Sequence, residues 1–145
     1  MTLLFRRTIM VREIVRDEAF LAKKSSPANK GDRQIGIDLL DTLRTHSHEC
    51  VGMAANMIGY LKNIIVVHMD FMAMVMFNPK IISRKDEYET QEGCLSLSGI
   101  RDTIRYDEIT VEFQDMNFKK QTQVFTGFVA EIIQHECDHL EGKII

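Results

Sequence analysis

The residues best suited to chemistry form one short run, Gln134-His135-Glu136-Cys137-Asp138-His139. It contains His-Glu-x-x-His, and on a helix residues four apart share a face, so both imidazoles reach one ion. Glu136, next to His135, then projects beside them toward a water on that ion. This is two ligands and a base, the components of metal-assisted hydrolysis. A five-residue pattern alone fits a pair of solvated helix histidines about as well. Here, however, His135 and His139 continue the apolar stripe of Phe128 and Ile132. Burying unpaired imidazoles there is costly, and a bound metal removes that cost.

A third ligand is available in Glu92-Gly93-Cys94-Leu95-Ser96, read as a loop between strands in which Gly93 allows close backbone approach to Cys94. Two histidines and one thiolate leave a fourth position on a divalent ion open to water, the arrangement of a catalytic site rather than a structural one. Ligand type suits zinc and ferrous iron equally. Of the other cysteines, Cys137 points away from the histidine face and reads as helix core, and Cys50 lies far upstream. An odd number of cysteines in a chain of this length argues against a disulfide framework.

These residues need elements to hold them. Phe128 to Glu141 has apolar residues at helical offsets around much of its girth, which predicts a central helix. Glu108 to Asp115 alternates Ile109, Val111 and Phe113 with polar residues, and Gln121 to Phe125 returns after a turn at Asp115-Met116-Asn117, so a hairpin is expected. Ile64–Val67, Met74–Phe77 and Ile81-Ile82 read as short strands, with Asn78-Pro79 as an interruption. Lys23 to Arg33 reads as a loop, followed by an amphipathic helix N-capped by Asp32 and ending before His46. The order of helix, strands and helix predicts an α+β fold with antiparallel strands packed around the metal-binding helix.

At 145 residues and 16.7 kDa the chain fits one domain, residues 1–145. Met10 can serve as the start, making residues 1–9 an N-terminal extension. A net charge of −3 argues against a nucleic-acid binder that relies on phosphate neutralisation. No apolar run approaches a membrane span, and no secretory signal is present, so a cytoplasmic protein is expected. Met69, Met72, Met74 and Met76 read as ordinary gap-fillers in core and strand positions rather than as a device for substrate adaptability. His46 and His48 read as solvated, while Arg101 and Arg105 are read as substrate contacts, as partners of acids such as Asp138 or, at least as readily, as charges on a surface strand. The chain ends soon after the metal helix, so no tail contact with a large partner is expected.

Taken together, the motifs resemble the peptide deformylase family. Cys94 stands in Glu-Gly-Cys-Leu-Ser, the histidines stand in Gln-His-Glu-x-Asp-His-Leu-x-Gly, and Cys50-Val51-Gly52-Met53-Ala54-Ala55-Asn56-Met57-Ile58-Gly59 is similar to the family's Gly-x-Gly-(Leu or Ile)-Ala-Ala-x-Gln-x-Gly. The resemblance runs from Val11 to Gly142. It implies removal of the N-formyl group from the formyl-methionine of nascent chains, with Cys94, His135 and His139 on Fe²⁺ in vivo and Zn²⁺ or Ni²⁺ as other occupants. It also implies Glu136 as the proton carrier and the Leu95 backbone N–H as an oxyanion donor. Val51, Gly52 and Gly93 would pair with the peptide backbone, and Ile132 or Ile133 would line an apolar methionine pocket. Formylated peptides are the implied partners.

Two positions depart from the family pattern. Cys50 replaces its first glycine, and Met57 replaces the glutamine whose amide donates to the formyl oxygen. Losing one such donor typically lowers turnover about 10²–10³-fold while sparing metal, water and base. The departures therefore raise an alternative, a deformylase-like paralogue that binds peptides with little turnover. A small metalloprotease would share His-Glu-x-x-His but would leave the Cys94 and Gly-Ala motifs without a purpose.

Overall fold

The computed structural model describes residues 9–145, so the expected N-terminal extension lies, but for Ile9, outside the described residues. Among the described residues five strands form one antiparallel sheet in the order β1-β2-β3-β4-β5: β1 Gly52–Ala54, β2 Ile64–Met69, β3 Met72–Cys94, β4 Leu97–Gln114 and β5 Lys120–Thr126. Among the described residues three α-helices accompany it, α1 Glu18–Leu21, α2 Arg33–Thr45 and α3 Gly127–Leu140. The fold is α+β, as expected from the sequence.

The two longer helices cover opposite faces of the sheet, and β2 shows why its sequence is an unbroken β-branched run. Ile65 and Val67 enter the core under α3 with Ile109, Val111, Ile132 and Ile133. Ile64 and Val66 enter the core under α2 with Leu39, Leu43, Met53 and Phe77. A strand buried on both faces has no polar alternate positions. β4 has one face under α3, and its alternation from Ile109 to Phe113 is correspondingly clean.

Several local expectations need correcting. Asn78-Pro79 does not end a strand: β3 continues to Cys94, and the register shifts between Phe77 and Lys80. Proline cannot donate to the ladder, so it sits at a bulge, where Asn78 takes a positive φ of 53° and bonds through its side chain to Ala28 and Gln114. Asp32 stands at the N-cap of α2 but turns its carboxylate back to the Asn29 N–H, closing a 3-10 turn instead. Met69, Met74 and Met76 pack against the α3 core, and Met72, the first residue of β3, is exposed. The hairpin of β4 and β5 forms at the expected place, its turn held by the Asp115 carboxylate on the N–H groups of Asn117 and Lys119.

The N-terminal segment straps the face carrying α2. Arg12 pairs with Asp38 at 3.0 Å, the Val15 N–H donates to the Met57 carbonyl at 2.8 Å, and Arg16 reaches the Leu95 carbonyl at 2.7 Å. No helix among the described residues is long and apolar enough to cross a membrane.

Candidate metal centre

α3 is apolar over most of its length, and its buried face carries His135, Glu136 and His139 inward together with Ile132 and Ile133. Gln134 fixes it against β4 by bonding both ways to the Tyr106 backbone, at 2.9 Å and 2.7 Å. Asn56, from the 3-10 turn after β1, donates to the His139 carbonyl at 3.0 Å. The helix is thus registered on both sides before any ion is considered.

Cys94 is not in a loop, as the sequence suggested, but is the last residue of β3, paired with Leu97 across a two-residue turn. From there its Sγ lies 3.3 Å from His139 Nε2, and His139 Nε2 lies 3.1 Å from His135 Nε2. All three donor atoms fall within 4.8 Å of one another. His139 is fully buried, and burial, reinforced by the nearby His135, lowers its pKa to about 3, leaving a neutral imidazole suited to a metal.

The remaining nitrogen of His135 is held by a charged relay that the sequence reading did not assign. Its Nδ1 lies 2.7 Å from Glu92 Oε1, and Arg105 clamps both oxygens of that carboxylate while its Nη1 donates to Asp138 at 2.6 Å. Burial alone would raise the Glu92 pKa, but the bonds from His135 and Arg105 hold it at about 2. A carboxylate behind a ligating histidine fixes ring orientation and raises ligand basicity. Of the two arginines weighed from sequence, Arg105 makes the ion pair with Asp138, whereas Arg101 reaches only the Ser98 carbonyl. The sole sequence signal for Glu92 was its adjacency to Gly93-Cys94.

Glu136 is 5 % exposed, and its Oε1 has no hydrogen-bond partner among the described residues. Burial pushes its pKa up to about 7, against the pull of His135. That is the range in which a carboxylate both takes and returns a proton near neutrality. Gly52 makes this placement possible, because a Cβ there would lie 2.6 Å from Ile132 Cγ2 and 3.0 Å from Glu136 Oε2. At Gly93, by contrast, a Cβ would meet only the Gly99 carbonyl at 3.5 Å, so close approach is not what that glycine serves.

A cavity of about 260 Å³ opens onto these groups, with Val51, Gly52 and Met57 on one side, Gly93 and Leu95 on another, and Phe128 on α3. Ile132 lines it, while Ile133 is buried in the core. Glu131 also faces the cavity and accepts from the Tyr88 hydroxyl at 3.3 Å, a polar feature in a wall expected to be apolar. Cys50 lies at the rim, and Cys137 is partly buried against the core, away from the donor cluster. His48 is exposed, and His46 is half-buried beside Glu49.

Comparison with known proteins gives a consistent result. The family model for polypeptide deformylase matches residues 11–145. A peptide deformylase of Clostridium beijerinckii is 51% identical over 136 residues, 94% of this chain and 100% of that protein. Peptide deformylase 2 of Clostridium acetobutylicum is 36% identical, covering 87% of this chain and 86% of its own. Among solved structures, an actinonin-bound class I type b peptide deformylase from Acinetobacter baumannii superposes with a TM-score of 0.82 at 27% identity, over 94% of this chain and 96% of that one. The same enzyme bound to Met-Ala-Ser superposes with a TM-score of 0.81 at 26% identity, over 93% of this chain and 96% of that one.

Proposed function

The chain belongs to the polypeptide deformylase family, and from that premise we propose that it is a metal-dependent hydrolase that removes the N-formyl group from formyl-methionine at the start of nascent polypeptides. The observation that carries the reading is the meeting of Cys94 Sγ, His135 Nε2 and His139 Nε2 beside a buried carboxylate with one oxygen unpartnered. Two imidazoles and a thiolate fit a divalent ion. We take Fe²⁺ as the ion in the cell and Zn²⁺ or Ni²⁺ as alternative occupants, since the donor types accept all of them.

When bound, the ion supplies a Lewis acid that polarises the formyl oxygen and acidifies a water. Glu136 takes the proton as the water oxygen attacks the formyl carbon. The Leu95 backbone N–H donates to the oxygen that gains charge, which makes it the remaining oxyanion donor where Met57 offers none. Glu136 then delivers its proton to the departing α-nitrogen as the C–N bond breaks, giving formate and a free amino terminus. Gly52 and Gly93 take the peptide as an added strand, Val51 lines the cavity beside them with its carbonyl held by the His68 N–H of β2 rather than free for the peptide as expected, and Phe128 and Ile132 form the wall for the methionine side chain. Residues 10–145 act as one unit in this scheme.

The test is formate release from formyl-Met-Ala-Ser by protein loaded anaerobically with Fe²⁺, with metal content measured on the same sample. Stoichiometric metal and catalytic formate release are expected. Full metal loading with no formate release would overturn the reading, and cleavage of internal peptide bonds would replace it with a protease.

A further inference from the structure

β1 is an edge strand, and the hydrogen bonds to β2 determine which of its backbone groups face outward. The Val51 carbonyl accepts from the His68 N–H at 2.8 Å, and Gly52 stands opposite Val67. In an antiparallel pair, bonded and non-bonded positions alternate, so the N–H and C=O of Gly52, and those of Ala54 two residues on, point away from β2. An outward row of this kind is where an extended peptide adds as a strand. In this chain two members of the row are engaged by sulfur. The Cys50 thiol donates to the Gly52 carbonyl at 2.7 Å, and the Ala54 N–H donates to Met57 Sδ at 3.5 Å. Both side chains line the cavity.

We propose that Cys50 is a positioning residue that tunes peptide affinity: its thiol occupies the Gly52 carbonyl in the free protein and must leave before a peptide N–H takes that acceptor. This rests on the strand-addition reading given above. A carbonyl has a second lone pair, but a sulfur this close covers the side from which a strand at about 4.8 Å spacing must approach. A thiol is a weak donor, so a peptide amide displaces it, and the displaced bond is subtracted from the gain. Burial, and after it the neighbouring Glu136, push the Cys50 pKa up to about 12, which keeps the donating proton in place at neutral pH. A glycine at position 50, as in the family pattern, has no side chain to make this contact.

The experiment measures the Kd of the tripeptide Met-Ala-Ser by calorimetry on metal-loaded protein, for the native chain, Cys50→Ala and Cys50→Ser. Removing the donor is expected to tighten binding about two- to fivefold, the lower part of the range of one hydrogen bond, because the thiol is a weak donor. Cys50→Ser keeps a donor, and a stronger one, so its Kd is expected to match or exceed the native value. Unchanged or weaker binding by Cys50→Ala overturns the proposal, as does equal tightening in both variants or no binding by any of them. If Cys50→Ala loses its metal or its melting transition, Cys50→Gly carries the same expectation. Formate release by the native protein separates the two readings: release with an unchanged Kd in Cys50→Ala defeats this inference alone, and tightened binding without release defeats the deformylase reading alone.

Discussion

His135 and His139 bring their Nε2 atoms to 3.1 Å of each other at the point where Cys94 arrives from β3. Facing nitrogens this close gain a shared partner from one ion. Chelation is therefore expected to destabilise the fold as well as stop formate release. An ion present at a hundred times its Kd stabilises by about 2.7 kcal/mol, which corresponds to a fall of about 5–10 °C in Tm on removal. Calorimetry before and after chelation and reloading checks this, and His139→Ala should no longer respond to added metal.

Glu136→Gln keeps the size of the side chain and removes its ability to accept a proton. A fall of about 10²–10⁴ in kcat is expected with metal content unaltered. Formate kinetics paired with metal analysis distinguishes this from loss of the ion.

Gly52→Ala places a methyl group against Ile132 Cγ2 and Glu136 Oε2. Overpacking of this kind costs about 1–3 kcal/mol, measurable by urea unfolding. Because the displaced group is the Glu136 carboxylate, kcat should fall as well, which distinguishes the substitution from a remote core defect.

Arg105→Met removes the cation clamping Glu92 while leaving that carboxylate largely buried. Glu92 keeps its bond to His135 Nδ1, so the loss is expected to stay below the roughly 3–5 kcal/mol of a fully unpaired buried charge, at about 1–3 kcal/mol. Adding Glu92→Gln to the same chain should recover part of it, and a double-mutant cycle in urea reads the coupling.

Met57→Gln restores an amide at the position where the family donates to the formyl oxygen. An increase in kcat is expected, bounded by the 10²–10³-fold or so that one oxyanion donor supplies. An unchanged kcat would mean that the Leu95 N–H and the ion already meet the need.

Periodicity made α2, α3, β2 and the hairpin of β4 with β5 legible, because each buries a defined face or both. The long outer parts of β3 and β4 were not legible: from Ser83 to Thr103 most side chains are exposed, so no apolar alternation marks them. The Asn78-Pro79 bulge was read as a break because a missing donor looks the same in sequence whether a strand ends or kinks. In the site, His135, Glu136 and His139 follow from helical spacing, and Cys94 from its neighbours. The part played by Glu92 depends on Arg105, 13 positions later on the paired strand, and on a helix that packs only in the finished fold. The thiol on Gly52 depends on a side-chain rotamer and on the edge position of β1, neither of which spacing encodes.

The distance along the chain between Cys94 and His139, 45 positions, has a kinetic consequence. Between them the polypeptide must form the return strand β4, turn into β5 and dock α3 across the sheet. Such non-local closure comes late in folding, since loop entropy is lost before the contacts repay it. A chain whose last helix has not docked offers the ion a thiolate and a histidine pair in separate places, and only the finished molecule brings the three donors into one triangle.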